Sequence, residues 1–317
     1  AVPRESTPKG PFAFVEAGQD AACRSALDRA DRLRDDPDAM QALWADARII
    51  LLDEKGHAFG DDDGKLLAPR GTQISQGPGG VGAAVFLGLD AQGTGWFALD
   101  AALTAFVAPQ RVDLRSAAAL WPAFEASVFA QARALQHWRS RHRFCGVCGG
   151  EVAMSRGGWQ GRCVQCNAEH YPRTDPAVIV AVSDGPRLLL GRQSAWPARR
   201  YSVVAGFVEP GETLEQTVAR EVLEETGVRV HRCRYLASQP WPFPGALMLG
   251  FAAEAEPDEP QVSDELEEAR WFTADEVRQA LARGEWGGAA DDGEGPVLSP
   301  GISISRWLIE HWLRNAV

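Results

Sequence analysis

The 317-residue sequence is marked first by what it does not contain. It has no apolar run near the about 20 residues needed to cross a bilayer. The longest run near its middle, Ala177 to Val182, has the length of a strand. Its start, Ala1-Val2-Pro3-Arg4-Glu5, lacks a basic stretch followed by an apolar core. No signal peptide and no membrane partner are therefore expected, and a cytoplasmic location is the simplest expectation. Positive charge is also scarce: 32 Lys and Arg face 43 Asp and Glu, for a formal charge of −11. An acidic chain does not draw phosphate-bearing ligands at long range. A pure nucleic-acid binder is disfavoured, and a nucleotide enzyme must supply positive charge locally, from arginines or a bound cation. Apolar content of 45% and charged content of 24% fit a soluble globular protein. The length suggests two domains, at about 150 residues each.

Cysteine is sparse but clustered. Of six, Cys145, Cys148, Cys163 and Cys166 form two Cys-x2-Cys knuckles separated by 14 residues. Four thiolates are the tetrahedral set that zinc prefers, and they leave no open position for water, so the site reads as structural Zn2+. Gly146, Gly149 and Gly150 suit the turns that aim backbone amides at sulfur. The isolated Cys23 and Cys233 read as small buried side chains. The cluster lies in a basic island: from Arg133 to Arg173 seven arginines face two acids. A solvated surface and a local phosphate or RNA contact are both open readings of that island.

Residues 1–120 carry no chemical motif. Asp20–Asp36 reads as helix, Ala47–Leu52 as strand, and Ala84–Leu89 with Trp96–Leu99 as a hairpin. An N-terminal α/β domain over 1–120 is expected, with a structural role, in dimerisation or in supporting the pocket. A linking helix follows over 121–143, within a helical pattern running from 115 to 142, then a zinc ribbon over 144–172. From Asp175 the pattern turns to strand: Ala177–Val182, Arg187–Leu190 and Tyr201–Val208. A helix from Thr213 to Thr226 follows, then strands at Leu247–Ala255 and Ala269–Phe272. Helices are expected at Asp275–Arg283 and Ser303–Arg314, with a flexible loop over Gly287–Gly295. The catalytic domain spans 173–317.

The helix from Thr213 carries the chemistry. Thr213 with Gln216 forms a capping box, and Gly227 suits a C-cap. At about 100° per residue Glu221 and Glu225 share a face, with Glu224 beside them. Leu214, Val218 and Val222 form the adjoining apolar stripe, and Glu225 points along it. Clustered, inward carboxylates are costly unless paired, and they repel one another. A bound divalent cation resolves both problems, and Mg2+ or Mn2+ prefers oxygen ligands with waters and phosphates in its shell. Arg220 is placed to pair with Glu212 or Glu224. Glu209 and Glu215 read as solvated.

Gly206, Glu212, Arg220, Glu221, Val222, Glu224, Glu225, Gly227 and Val228 fill every fixed position of a 23-residue pattern. The segment resembles the Nudix box. That resemblance implies an α/β/α sandwich with a mixed sheet and hydrolysis of a nucleoside diphosphate linked to another group. Cations held by Glu221 and Glu225 would offset charge on the pyrophosphate, and a metal-bound water would attack phosphorus. The proton would go to Glu224 or to a carboxylate outside the box. The carbonyl of Ala205, just before the box, could complete a metal shell.

Downstream lies Ser238-Gln239-Pro240-Trp241-Pro242-Phe243-Pro244, read as a rigid extended loop against which a base could stack. Together with the ribbon, Tyr171-Pro172-Arg173-Thr174-Asp175-Pro176 and the box, it is similar to the NADH pyrophosphatase family, the NudC type, over residues 144–317. The resemblance implies cleavage of NAD(H) to nicotinamide mononucleotide and AMP, removal of NAD caps from RNA, and a homodimer. It also implies zinc at the four cysteines and catalytic metal at Glu221, Glu225 and Glu265. A substrate loop is implied from Gln239 through Pro240, Trp241, Pro242, Phe243, Pro244 and Gly245 to Ala246. Tyr171 and Phe207 are the implied stacking partners, and Ser305 a small residue near substrate. Ala246 stands where the family commonly has serine, so a hydroxyl contact is missing. Two further readings are a broader Nudix hydrolase of ADP-ribose and similar compounds, and an RNA-binding module without catalysis. The intact glutamate set argues against the latter.

Overall fold

The computed structural model describes residues 12–15, 25, 27–74, 83–284 and 293–315. They divide into two compact units. One holds Phe14–Arg173 and the turn Pro242–Gly245; the other holds Thr174–Trp241 and Ala246–Val317, with Pro11–Ala13.

In the first unit, α1 (Pro37–Trp44) is followed by β1 (Arg48–Leu52), β2 (Ala58–Gly60), β3 (Ala84–Leu89), β4 (Gly95–Asp100) and β5 (Gln110–Val112). The five strands form one mixed sheet in the order β3-β4-β1-β2-β5, with β1 parallel to β4 and the other pairs antiparallel. β1 is apolar on both faces because both are covered. Ile49 and Leu51 join a core with Trp44, Phe59, Phe86 and Phe97, while α3 (Ala123–Arg141), after α2 (Leu114–Leu120), also packs on β1, β3 and β4. The hairpin expected at Ala84–Leu89 and Trp96–Leu99 is β3 and β4.

In the first unit two local expectations differ from the structure. Of the helix expected over Asp20–Asp36, residues 20–24 and 26 lie outside the described residues, but Asp31–Leu33 is a single 3-10 turn rather than part of a long helix. The helix starts later, at Pro37, because the Asp36 carboxylate caps the Ala39 amide and proline at the first position lacks only an N–H that needs no partner. The helical pattern over 115–142 is broken at Trp121-Pro122 into α2 and α3, as the restriction that proline places on its predecessor requires.

After α3 comes a three-stranded antiparallel ribbon, β6 (Val152–Ser155), β7 (Gln160–Cys163) and β8 (Glu169–His170). The Trp159 indole donates to the Phe86 carbonyl at 2.7 Å, tying the ribbon to β3.

The second unit contains β9 (Asp175–Ser183), β10 (Arg187–Arg192), β11 (Arg200–Tyr201), β12 (Val204–Phe207), α4 (Leu214–Thr226), β13 (Val230–Trp241), β14 (Ala246–Ala255), β15 (Glu268–Thr273), α5 (Ala274–Ala282), β16 (Val297–Leu298) and α6 (Ile304–Asn315). Its main sheet runs β13-β14-β9-β10-β15, with β12 also on β9. β14 and β9 are parallel and the other pairs antiparallel, so the sheet is mixed as expected. Val218 and Val222 of α4 are fully buried against Val178, Val180 and Val204. Each such side chain contributes about 1.5–3 kcal/mol. The strand expected at Tyr201–Val208 is two short ones, β11 and β12. The loop expected from Gln239 to Ala246 is mostly strand: β13 runs to Trp241 and β14 starts at Ala246. Proline is tolerated there because β13 is the edge of the sheet. No helix among the described residues is long and apolar enough to cross a membrane. Of the expected Gly287–Gly295 loop, 287–292 lies outside the described residues.

Candidate active site

The capping box of α4 forms as the sequence implies. Gln216 N donates to Thr213 Oγ1, and Thr213 N donates to Gln216 Oε1 at 2.8 Å. Gly227 closes the helix at φ 69°, where a side chain would be strained. Between these caps, the apolar stripe that docks Val218 and Val222 turns Glu221 and Glu225 inward. They are 8% and 6% exposed, while Glu224 stays on the outside.

Gly206 makes room for this. A Cβ at that position would lie 1.9 Å from the Glu221 carboxyl carbon and 2.2 Å from both its oxygens. β12 is thus the floor on which the Glu221 carboxylate rests, with Ala205 exposed next to it and paired with Ile179 of β9.

Arg220 organises the cluster with all five of its N–H groups. Nε donates to Glu212 Oε1 at 2.6 Å and Nη2 to Glu212 Oε2 at 2.9 Å. Nη1 reaches Glu221 at 2.8 Å and Glu224 at 3.1 Å, and Nη2 also reaches the Phe207 carbonyl at 2.9 Å. Glu212 accepts further from Thr217 Oγ1 and the Glu209 amide. These donors, the Arg220 guanidinium first, pull its carboxyl down to about 2. Glu212 is therefore a buttress for Arg220.

The inward pair is of opposite character. Burial, then the charges of Glu265 and Glu221, pushes Glu225 up to about 8. Burial also holds Glu221 above the usual carboxylate range despite Arg220. Glu265 is exposed and comes near because its segment is laced to the end of α4. Gln261 N donates to Thr226 O, and Ser263 N to Glu225 O. Two inward carboxylates whose ionisation is suppressed by burial and by neighbouring acids fit a divalent cation as a partner.

The four cysteine sulfurs all lie within 4.8 Å of one another. Sγ–Sγ distances of 3.5 Å (Cys148–Cys163) and 3.7 Å (Cys145–Cys166) approach the about 3.8 Å edge of a tetrahedron with 2.3 Å Zn–S bonds. Amides of Cys166 and Gln165 draw the Cys163 thiol down to about 6. The Ala168 amide favours a Cys166 thiolate, yet its sulfur neighbours and desolvation push it up to about 12. Four sulfurs at this spacing are the tetrahedral set of a zinc site, and the residues fit zinc.

Three family models divide the chain among them. One described as NADH pyrophosphatase-like rudimentary NUDIX domain matches residues 40–138. The NADH pyrophosphatase zinc ribbon domain matches 140–171, and the NUDIX domain 173–290. The chain is 42% identical over 297 residues to the NAD-capped RNA hydrolase NudC of Mycobacterium bovis (strain BCG / Pasteur 1173P2), covering 91% of this chain and 93% of that protein. The chain belongs to the NudC-type NADH pyrophosphatase family of Nudix hydrolases. It is therefore a hydrolase of pyrophosphate bonds. It is also 42% identical over 201 residues to the human NAD-capped RNA hydrolase NUDT12, covering 60% of this chain and 42% of that one. Among solved structures, a NUDIX hydrolase from Nitrosomonas europaea aligns at a TM-score of 0.39 with 27% identity, covering 50% of this chain and 98% of that one.

Other residues singled out in this Nudix hydrolase fall in varied places. Tyr171 is 56% exposed, with its hydroxyl between Glu169 and Gln160. Phe207, at the end of β12, is 60% exposed. Pro240 is exposed, Trp241 is half-buried, and Pro244 is exposed at the hairpin turn with Gly245. Within the first unit, Pro242 O accepts from Arg133 and the Arg115 guanidinium lies 4.2 Å over the Phe243 ring.

Gln239 and Ser305 stand apart from the expected substrate contacts. Gln239 is fully buried: its Nε2 donates to Ala13 O and Ile302 O, and its Oε1 accepts from Ile304 N at 2.8 Å. Ser305 is buried in a hydroxyl cluster with Ser202 at 2.8 Å and Ser299 at 2.9 Å. Sequence reasoning found Ser305 but neither partner. Ser202 lies 103 positions away, and no local pattern links them.

Proposed function

We propose that this chain hydrolyses the pyrophosphate of NAD(H) to nicotinamide mononucleotide and AMP, and removes NAD caps from RNA by the same chemistry. The observation that carries the reading is the buried Glu221/Glu225 pair facing Glu265, clamped from one side by Arg220. The names of the relatives, NAD-capped RNA hydrolases, support the substrate.

Glu221, Glu225 and Glu265 would hold Mg2+ or Mn2+, with the Ala205 carbonyl beside them. When bound, such a cation offsets charge on the pyrophosphate oxygens and acidifies water. Arg220 holds Glu221 and Glu224 in place. Glu224, exposed on the outer side of α4, takes the proton from the attacking water. The exposed rings of Tyr171 and Phe207 would stack on the nicotinamide end, from opposite subunits of a homodimer. Trp241, Phe243 and the adjoining prolines 240, 242 and 244 would shape the edge of the site with Gly245 and Ala246. Gln239 and Ser305 act one layer behind as positioning residues. A reducing compartment, the cytoplasm, suits the free thiolates.

The test is a substrate ranking with Mg2+ or Mn2+, products identified by mass. NADH, NAD+ and NAD-capped RNA are expected to outrank ADP-ribose and diadenosine compounds. Much faster cleavage of ADP-ribose overturns the NAD(H) reading in favour of a broader Nudix hydrolase.

A further inference from the structure

The second unit contains a cavity of about 600 Å³ between the edge strand β13, one face of β14 and β9, and the C-terminal half of α6. Strand alternation puts it on the side of the sheet away from α4. Val178, Val180 and Val182 pack with Val218 and Val222 of α4, so Ala181 and Ser183 face the other way. α6 runs along that second face. At Gly250 it lies close, since a Cβ there would stand 2.9 Å from Ile304 Cδ1 and 3.5 Å from Leu308 Cδ2. Further along, the floor is Ala181 and its partner Ala252, whose short side chains leave space open beside His311 and Trp312. The volume is that of a small-ligand cleft, for which about 300–1,000 Å³ is usual.

Arg232 and Arg234, two apart on β13 and both exposed, line this cavity from the strand side, in register with Glu254 and Ala252. Arg232 has a counter-ion in Glu254 at 3.7 Å, which His231 shares at 3.8 Å. The Arg234 side chain has no ion-pair or hydrogen-bond partner among the described residues. Two arginines and one acid line the cavity, so one positive charge is left over. The α6 wall feels it. Burial first, then Arg314 and Arg234, holds the His311 imidazole below its ordinary range, and no acid offsets them. His311 is thus a neutral ring, tilted at 31° on Trp307. The Trp312 indole is fixed by its N–H, which donates to Ser183 Oγ at 3.0 Å. Asn315 Nδ2 donates to His311 O, which leaves the amide oxygen for an incoming amine. An arginine on an edge strand is ordinarily a solvated guard against strand pairing. That role requires neither a cavity beside it nor two held rings lining the same space. A guanidinium fork matches phosphate oxygens, and indole and imidazole faces match a planar heterocycle.

We propose that this cavity is a second nucleotide site, outside the glutamate cleft, which takes a mononucleotide with its phosphate on Arg234 and its base against Trp312. Mononucleotides are what the proposed reaction releases, so on that reading the site would sense product; binding itself does not depend on that reading.

The experiment uses the full chain with zinc bound and without added Mg2+ or Mn2+, so that the glutamate cleft lacks its cation. AMP binding is followed by isothermal titration calorimetry, beside adenosine and inorganic phosphate as its two halves. AMP is expected to bind at least about tenfold more tightly than either half. Arg234→Ala should weaken AMP binding by about tenfold or more, as loss of a charge-assisted contact does. Ala252→Leu, which fills the floor, should abolish it. Glu225→Gln should leave it within about twofold, because distant sites act independently. KM and kcat for NADH, at low conversion, should be unchanged in Arg234→Ala. Melting temperature serves as the folding control. Arg234 is exposed, so its variant decides the matter even where Ala252→Leu does not fold. No AMP binding by the wild type at about millimolar concentration overturns the site, as does binding unchanged in Arg234→Ala. Loss in Glu225→Gln with retention in Arg234→Ala assigns the AMP to the glutamate cleft and also overturns it. Phosphate that binds as tightly as AMP overturns the mononucleotide reading in favour of a bare anion site. Wild-type protein that binds AMP through Arg234 but leaves NADH intact when Mg2+ or Mn2+ is added breaks the proposed function and leaves this site standing.

Discussion

The two units each lay a helix against a mixed sheet, but the helices carry opposite chemistry. α4 places Glu221 and Glu225 on its buried stripe and a single arginine among four acids. The buried positions of α3 are Ala, Val, Phe, Leu and Trp, and its one acid, Glu125, is outnumbered by Arg133, Arg139 and Arg141. The first unit matches a rudimentary Nudix-like domain and the second a Nudix domain, so kindred architecture carries a buried carboxylate pair on the α4 stripe and none among the described residues of α3. Fold supplies a platform, and two or three buried side chains decide whether it does chemistry.

The strongest way to break this contrast is Glu225→Gln, which removes one of the two carboxylates from the buried stripe of α4. Turnover should fall by about 10²–10³-fold, as removal of one strong electrostatic element at a transition state does. Unchanged turnover ends the contrast. The same variant has a pH signature. The folded chain without cation holds the Glu225 carboxyl at about 8, against an ordinary 4.5. Between those values the folded state keeps a proton that the unfolded chain has lost, so stability is full below about 4.5 and declines as pH rises through about 8. Melting curves of metal-free protein should show that decline. A divalent cation should offset it, and Glu225→Gln should reduce it to the part that Glu221, also held above the usual range, contributes.

Gly206→Ala comes next in size. Its Cβ would displace the Glu221 carboxylate from β12, and about 10–100-fold of kcat should go with that misplacement while the fold persists. A melting temperature that collapses instead would show Gly206 to be scaffold. The smallest expected effect, Gln239→Ala, sharpens the border between chemistry and support inside the second unit. It strands the Ile304 amide and the Ala13 and Ile302 carbonyls, costing about 2–3 kcal/mol in denaturant unfolding. KM for NADH should stay within about twofold. A raised KM at unchanged stability would return Gln239 to the substrate.

What was legible in the sequence follows from range. The capping box, the C-cap, the inward glutamates and the cysteine knuckles depend on neighbours within a turn or two, and all stand as the residues imply. β13 was missed because His231, Arg232, Arg234 and Pro240 disguise an edge strand that needs no apolar alternation on its open side. Gln239 enters the expected substrate loop through the family resemblance, which does not see its burial. Its hydrogen-bond partners, Ala13, Ile302 and Ile304, are remote in sequence. The long helix over Asp20–Asp36 failed at its described end, where Asp36-Pro37 is a stronger start signal than the alanines before it.

Arg220 bears on the order in which things arrive. Each of its five N–H groups is already committed, to Glu212, Glu221, Glu224 and the Phe207 carbonyl. A pyrophosphate reaching this cleft before a divalent ion meets carboxylates and no spare N–H on the arginine at its centre. On the proposed reading the cation would have to arrive ahead of the nucleotide or with it as a chelate, and excess substrate that sequesters the ion would act as its own inhibitor.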